Sequence, residues 1–314
     1  MTFSAELKRL LADHATAESR AAFASSVGTH AAVATLAAGV TQPGQHVAMI
    51  GSSMCWGFVS QHADARHGLV SMPHVFGGPQ DAYVFGGAIT AGAAVTWFRD
   101  HFCRDEAAAA AADGVDIHDR LDAGAKTVPQ GADGVLFLPY LMGERSPIWD
   151  AKASGALVGL SLFHSRDHVY RAILEGVGFS LRHNIEAGAQ GADSLDDRLI
   201  VVGGAAHSDL WMQIIADITG RAVFTIEEEV EAAMGAAILA AYGAGLVTNE
   251  DVRRGWVTLS PRAQPDPRAT RTYDAFFSVY KALYPALKNS MHDLHTQAAI
   301  ARERTGPLET RQEL

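Results

Sequence analysis

From Leu199 to Gly220 the chain reads LIVVGGAAHSDLWMQIIADITG. Four β-formers, Leu199 to Val202, run into Gly203-Gly204, and a helical pattern begins near Ser208. Such a strand–Gly-Gly–helix junction has two readings. A ligand can approach the bare backbone, with the free N–H groups of the helix start favouring a phosphate or a polar nucleotide edge. Alternatively, the glycines serve only a tight turn that needs positive φ.

The rest of the chain repeats this alternation. HVAMIGSSMCWGFVS reads as two strands around a Gly51-Ser52-Ser53 turn, AYVFGG as a third strand, and AITAGAAVTWFRDHF as a helix. GVLFLPYL is a buried strand stopped by Pro139. GALVGL leads into a long helix striped by Val169, Ala172, Ile173, Gly176, Val177 and Leu181. AVFTI is a strand, and EAAMGAAILAAYGAG is a helix whose Gly235, Ala236 and Ala237 permit close backbone approach. Thr270 to Lys288 is a core-facing terminal helix, followed by a polar tail over 291–314. This order predicts an α/β fold with a mixed sheet flanked by helices.

At 48% hydrophobic residues, the chain has ample core for one large or two modest domains. The formal net charge of −10 argues against a general nucleic-acid or acidic-membrane surface. No apolar run approaches membrane-spanning length. The opening MTFSAELKRLLADHATAESRAAFA lacks a signal-peptide apolar region and reads as an amphipathic helix on Leu7, Leu10 and Leu11. Cys55 and Cys103 make no metal or disulfide spacing, which fits a cytoplasmic protein. His164 and His168 are four apart with no third ligand, so no metal site is expected.

Two other segments could serve a ligand. The Gly51-Ser52-Ser53 turn can offer amides and hydroxyls to a phosphate, or be an ordinary hairpin. GGAITAGAAVTW presents small residues and Thr96 along a helix, giving either a shallow surface for a flat base or close helix packing.

These segments together resemble the C-terminal, nucleotide-binding half of the FGGY carbohydrate kinases, and most resemble its pentulose kinases. GALVGLSLFHSRDHVYRAILE is similar to the family's C-terminal signature at Gly155, Gly159-Leu160, His168-Val169, Ala172 and Glu175. LPYLMGERSP, VVGGAAHSDLWMQIIADITG and EAAMGAAILAAYGAG resemble further family blocks in the family's order. The resemblance implies an actin-like (ribonuclease-H-like) ATPase domain over 28–290, with ATP and Mg²⁺ as cofactors and a sugar as phosphoryl acceptor.

Position by position, it implies that Gly51, Ser52 and Ser53 form a phosphate turn. Gly92 and Thr96 line the adenosine pocket. Gly203, Gly204 and Ala205 lie beside the nucleotide, and Ser208 makes a polar contact near the adenine. Glu144 and Arg145 are expected as a buried structural pair near the interdomain hinge. His30 occupies the slot where the family carries its catalytic aspartate. Residues 1–27 do not resemble the family's N-terminal sugar-binding domain. A homodimer or a separate N-terminal half is therefore expected to complete the cleft. The alternative is a non-catalytic nucleotide-binding or oligomerising module.

Overall fold

The computed structural model describes residues 30–63, 66–76, 80–226, 232–254, 256 and 258–305. The N-terminal helix expected from the sequence lies outside them. Helix α1 (His30–Ala37) leads into β1 (His46–Ile50), and a tight turn passes to β2 (Met54–Ser60). Strands β3 (Val70–Pro73) and β4 (Ala82–Gly86) follow. Three helices come next: α2 (Gly92–Phe102), α3 (Arg104–Asp113) and α4 (Ile117–Lys126). Strands β5 (Leu136–Leu138) and β6 (Ala156–Val158) form a separate antiparallel pair ahead of the long α5 (Arg166–Ala189). The chain ends through β7 (Arg198–Val202), α6 (Asp209–Thr219), β8 (Ala222–Ile226), α7 (Ala232–Gly243), α8 (Asn249–Arg254), β9 (Leu259–Ala263) and α9 (Pro267–Thr305).

Seven strands make one sheet in the order β3-β4-β2-β1-β7-β8-β9. β1, β7 and β8 run parallel, while β2, β3, β4 and β9 pair antiparallel. Side chains alternate across the strands. Ala48, Ile50, Met54, Trp56 and Phe58 therefore enter the large core beneath α5, which contributes Ile173, Val177 and Leu181. Val47, Val59 and Ile200 face the opposite layer with Ala38 and Val40. There α1 packs on α7, where a Cβ on Gly235 would overlap the Val33 carbonyl, so the expected close approach is real.

β3 and β9, the two edge strands, carry little strand signal in the sequence. Each carries a proline, Pro73 and Pro261, which weakens a strand pattern and is tolerated at a sheet edge. The polar tail expected from residue 291 begins as helix: α9 continues to Thr305, with residues 293–299 and 301–304 exposed. Met291 is buried, and His292 Nε2 lies 2.6 Å from Asp150 Oδ2.

Candidate functional site

β1 and β7 lie side by side in parallel, His46 opposite Leu199 through Met49 opposite Val202, so both end at the same edge of the sheet. Crevices outside the carboxyl ends of parallel strands are where open α/β sheets bind ligands. Here each strand ends in a glycine turn, and between the turns and the neighbouring helices opens a cleft of about 520 Å³. Ile50, Gly51 and Ser52 line it from the β1 turn, and Gly204 and Ala205 from the β7 turn. Helix α2 adds Gly92, Val95 and Thr96, while α5 and α6 add Tyr170 and Trp211.

The two adjacent glycines do different things. Gly203 has φ +91° and ψ −173°, a conformation reserved for glycine. A Cβ there would stand 2.7 Å from the Ile50 carbonyl oxygen. A Cβ on Gly204 would meet nothing within 4 Å, so this backbone is open to the cleft. The turn reading thus applies to Gly203 and the open-backbone reading to Gly204.

Gly92 also has a packing reason to be small. Its N–H donates to the Gly51 carbonyl at 2.9 Å, and a Cβ would sit 2.6 Å from that oxygen. The Ser52 carbonyl accepts from Ala91 and Ala93 N–H at 2.9 and 3.0 Å. The β1–β2 turn therefore caps α2, and what it exposes to the cleft is the backbone of Gly51 and the side of Ser52. Ser53 is exposed but outside the cleft lining; its carbonyl closes the turn onto Gly51 N–H at 3.0 Å. His30 opens α1, and its side chain lies outside the described residues.

The sequence reading missed α4, which forms a whole wall. Asp116, His118, Asp119 and Asp122 line the cleft from it. Asp116 caps the helix, its Oδ1 accepting from His118 N–H at 2.7 Å. Asp122 Oδ2 accepts from Ser208 Oγ at 2.5 Å and Oδ1 from Tyr170 OH at 3.0 Å. Burial pushes the Asp122 carboxyl above its ordinary pKa, against the pull of these two donors. Ser208 also accepts from Trp211 N–H at 3.0 Å and so caps α6.

The cleft has a polarity. Gly92 touches Gly51 at one end of α2, whereas Arg99, two turns and about 10 Å along, reaches His118 at 3.4 Å. The β1 and β7 turns thus bring backbone and the Ser52 hydroxyl to the lining, while the α4 wall brings His118 and the carboxylates of Asp116, Asp119 and Asp122.

The expected Glu144–Arg145 pair is not an ion pair. Glu144 is buried, and its Oε1 accepts backbone N–H bonds from Ile89 at 3.1 Å and Arg145 at 2.7 Å. The Arg145 side chain belongs to an exposed residue and donates to the Ala88 carbonyl at 3.1 Å. Burial pushes the Glu144 carboxyl from 4.5 up to about 7. The folded state then keeps a proton that the unfolded chain has released. Stability should fall as pH rises from 4.5 to about 7, by up to about 3 kcal/mol. Urea midpoints of wild type and Glu144→Gln at pH 5 and pH 8 test this. The glutamine variant should lose less stability over that interval, and parallel declines would exclude Glu144 as the source.

This geometry matches a known family. The C-terminal domain of the FGGY family of carbohydrate kinases matches residues 46–244. The chain belongs to that family. It is 31% identical over 265 residues to xylulose kinase of Bacillus subtilis strain 168, covering 83% of this chain and 50% of that protein. With gluconokinase of Bacillus licheniformis the identity is 35% over 211 residues, 67% of this chain and 41% of that one. The structure of xylulose kinase from Rhodospirillum rubrum superposes with a TM-score of 0.73 at 32% identity, covering 84% of this chain and 51% of the other. The chain thus spans about half the length of these relatives. The fold is that of the actin-like ATPases, as the sheet order and these kinases agree.

The cleft fits a nucleotide. Its volume falls in the usual range for small-molecule sites, roughly 300–1,000 Å³. Val95, Tyr170 and Trp211 give it apolar surface of the kind a flat base needs, beside the carboxylates of the α4 wall, and Gly51 and Gly204 leave backbone sterically bare. Among the described residues no three His, Cys, Asp or Glu side chains converge to hold a metal.

Proposed function

We propose that this chain is the nucleotide-binding half of an ATP-dependent sugar kinase that phosphorylates a pentulose. The observation that carries this reading is the convergence of Gly51, Ser52, Gly92, Thr96, Gly204, Ala205 and Ser208, from three separate segments, on one cleft. In this reading Ser52 and the open Gly204 backbone receive the phosphates, Gly51 leaves them room, and the surface beside Val95 and Trp211 receives the base. When bound, Mg·ATP supplies the phosphoryl group, with the cation offsetting charge on the phosphate oxygens. The protein's part is to hold the nucleotide in one orientation.

The histidine at position 30, where the family resemblance places an aspartate, favours a second reading: a module that binds nucleotide without transferring phosphate. One experiment separates them. ATP binding to the purified chain is measured by calorimetry with Mg²⁺. ADP release is then followed with D-xylulose, D-ribulose, L-ribulose, gluconate, glycerol and no sugar. Binding with release stimulated by a pentulose is the expected result. Binding without sugar-dependent release excludes phosphoryl transfer by this chain alone and favours the second reading, and absence of ATP binding removes both.

A further inference from the structure

Ser208 and Asp122, both in the cleft lining, meet across 86 residues of sequence. A serine hydroxyl has one hydrogen to give and two lone pairs. An ionised carboxylate only accepts, so Ser208 must spend its hydrogen on Asp122 Oδ2, at 2.5 Å. One lone pair is taken by Trp211 N–H at 3.0 Å. What Ser208 has left for the cleft is a single acceptor. Asp122 is itself held from behind by Tyr170 OH at 3.0 Å, which fixes the carboxylate while α5 supports it. Asp116 and Asp119 on the same wall are acceptors too.

We propose that Asp122 is a positioning residue for the nucleobase: by taking the hydrogen of Ser208 it makes that serine an acceptor, so the slot selects a base that presents an N–H donor there. This rests on the nucleotide reading of the cleft. Adenine offers its 6-amino group as such a donor, whereas the 6-oxo group of hypoxanthine sets oxygen against oxygen. The slot therefore discriminates ATP from ITP, two ligands of nearly equal size and identical phosphates.

The test is the ratio of Kd values for Mg·ITP and Mg·ATP, by calorimetry at pH 8, where the carboxyl is ionised. Wild type should favour ATP by about tenfold, the scale of one hydrogen bond made or left unmade. In Asp122→Ala the hydrogen of Ser208 is free to turn into the cleft, and the ratio should fall to within about twofold of parity. Ser208→Gly removes the serine acceptor and should lower the preference, leaving only what the wall carboxylates themselves accept; glycine is well tolerated at a helix N-cap, so this variant keeps the fold if Asp122→Ala does not. A purely structural Asp122 would weaken both nucleotides by one common factor and leave the ratio unchanged. That outcome, or a wild-type ratio near one, overturns the proposal while ATP binding stands. If wild type binds neither triphosphate, the nucleotide reading fails and the proposal falls with it.

Discussion

Glu175→Ala is expected to lower the unfolding free energy by about 3–5 kcal/mol at pH 7, much of the margin of an ordinary protein. The reason lies in what it would strand. Arg171 and Glu175, one turn apart on α5, have side chains only 7% and 1% exposed. Glu175 Oε1 accepts from Arg171 Nε at 2.8 Å, Tyr273 OH at 2.8 Å and Gly131 N–H at 3.1 Å. The same guanidinium donates to the Ala125 carbonyl and to Tyr273 OH, both at 3.1 Å. One buried cluster therefore joins α5 to the end of α4, to the turn before β5, and to α9. Alanine at 175 would leave a buried cation without its paired carboxylate, with Asp217 its only further buried acidic neighbour among the described residues, and that costs more than the pair itself contributes.

Replacing both charges together, Arg171→Met with Glu175→Leu, should recover most of the loss, because no charge is then left to desolvate. Urea midpoints for wild type, the single variant and the double variant decide the matter. A single variant within about 1 kcal/mol of wild type would falsify the account. The effect should also reach the cleft, since Tyr170, next to Arg171, holds Asp122 on α4. ATP affinity in Glu175→Ala, measured below its unfolding transition, should therefore fall with stability.

The parts of this architecture legible in the sequence are those whose pattern is local. β1, its Gly51-Ser52-Ser53 turn and β2 show as apolar runs about a small polar break, and β7 shows as Leu199 to Val202 ending on glycine. The α4 wall could not be read in that way. IHDRLDAGAK buries only Leu121 and Ala125 from its ten residues, too few for a periodic signal. Its importance arises from partners 86 and 48 residues away, Ser208 and Tyr170. Composition misled at Glu144-Arg145, where adjacent opposite charges point in different directions: Glu144 into the protein onto backbone amides, Arg145 onto the Ala88 carbonyl. Sequence also assigned Gly203 and Gly204 one shared role, because nothing in two identical letters says which of them carries positive φ.

That division of labour leads to a paired prediction. Gly203→Ala should lose stability, because its φ of +91° and ψ of −173° are strained for any residue with a Cβ, at about 1–3 kcal/mol for the conformation alone. Overlap of the new methyl with the Ile50 carbonyl, 2.7 Å away, adds to this cost and pries at the β1–β7 pairing. Gly204→Ala meets no protein atom within 4 Å and should unfold within about 0.5 kcal/mol of wild type. Its methyl projects instead into the space assigned to the nucleotide. ATP affinity should fall by at least about tenfold, the scale of a contact displaced from a fitted site. Urea midpoints and calorimetric ATP titrations of both variants give four numbers. If Gly204→Ala binds ATP as wild type does, the nucleotide does not lie against that backbone. The phosphates must then be placed nearer Ser52, at the other turn. If Gly203→Ala is as stable as wild type, the β1 and β7 ends have room to move apart, and the cleft floor is softer than their register implies.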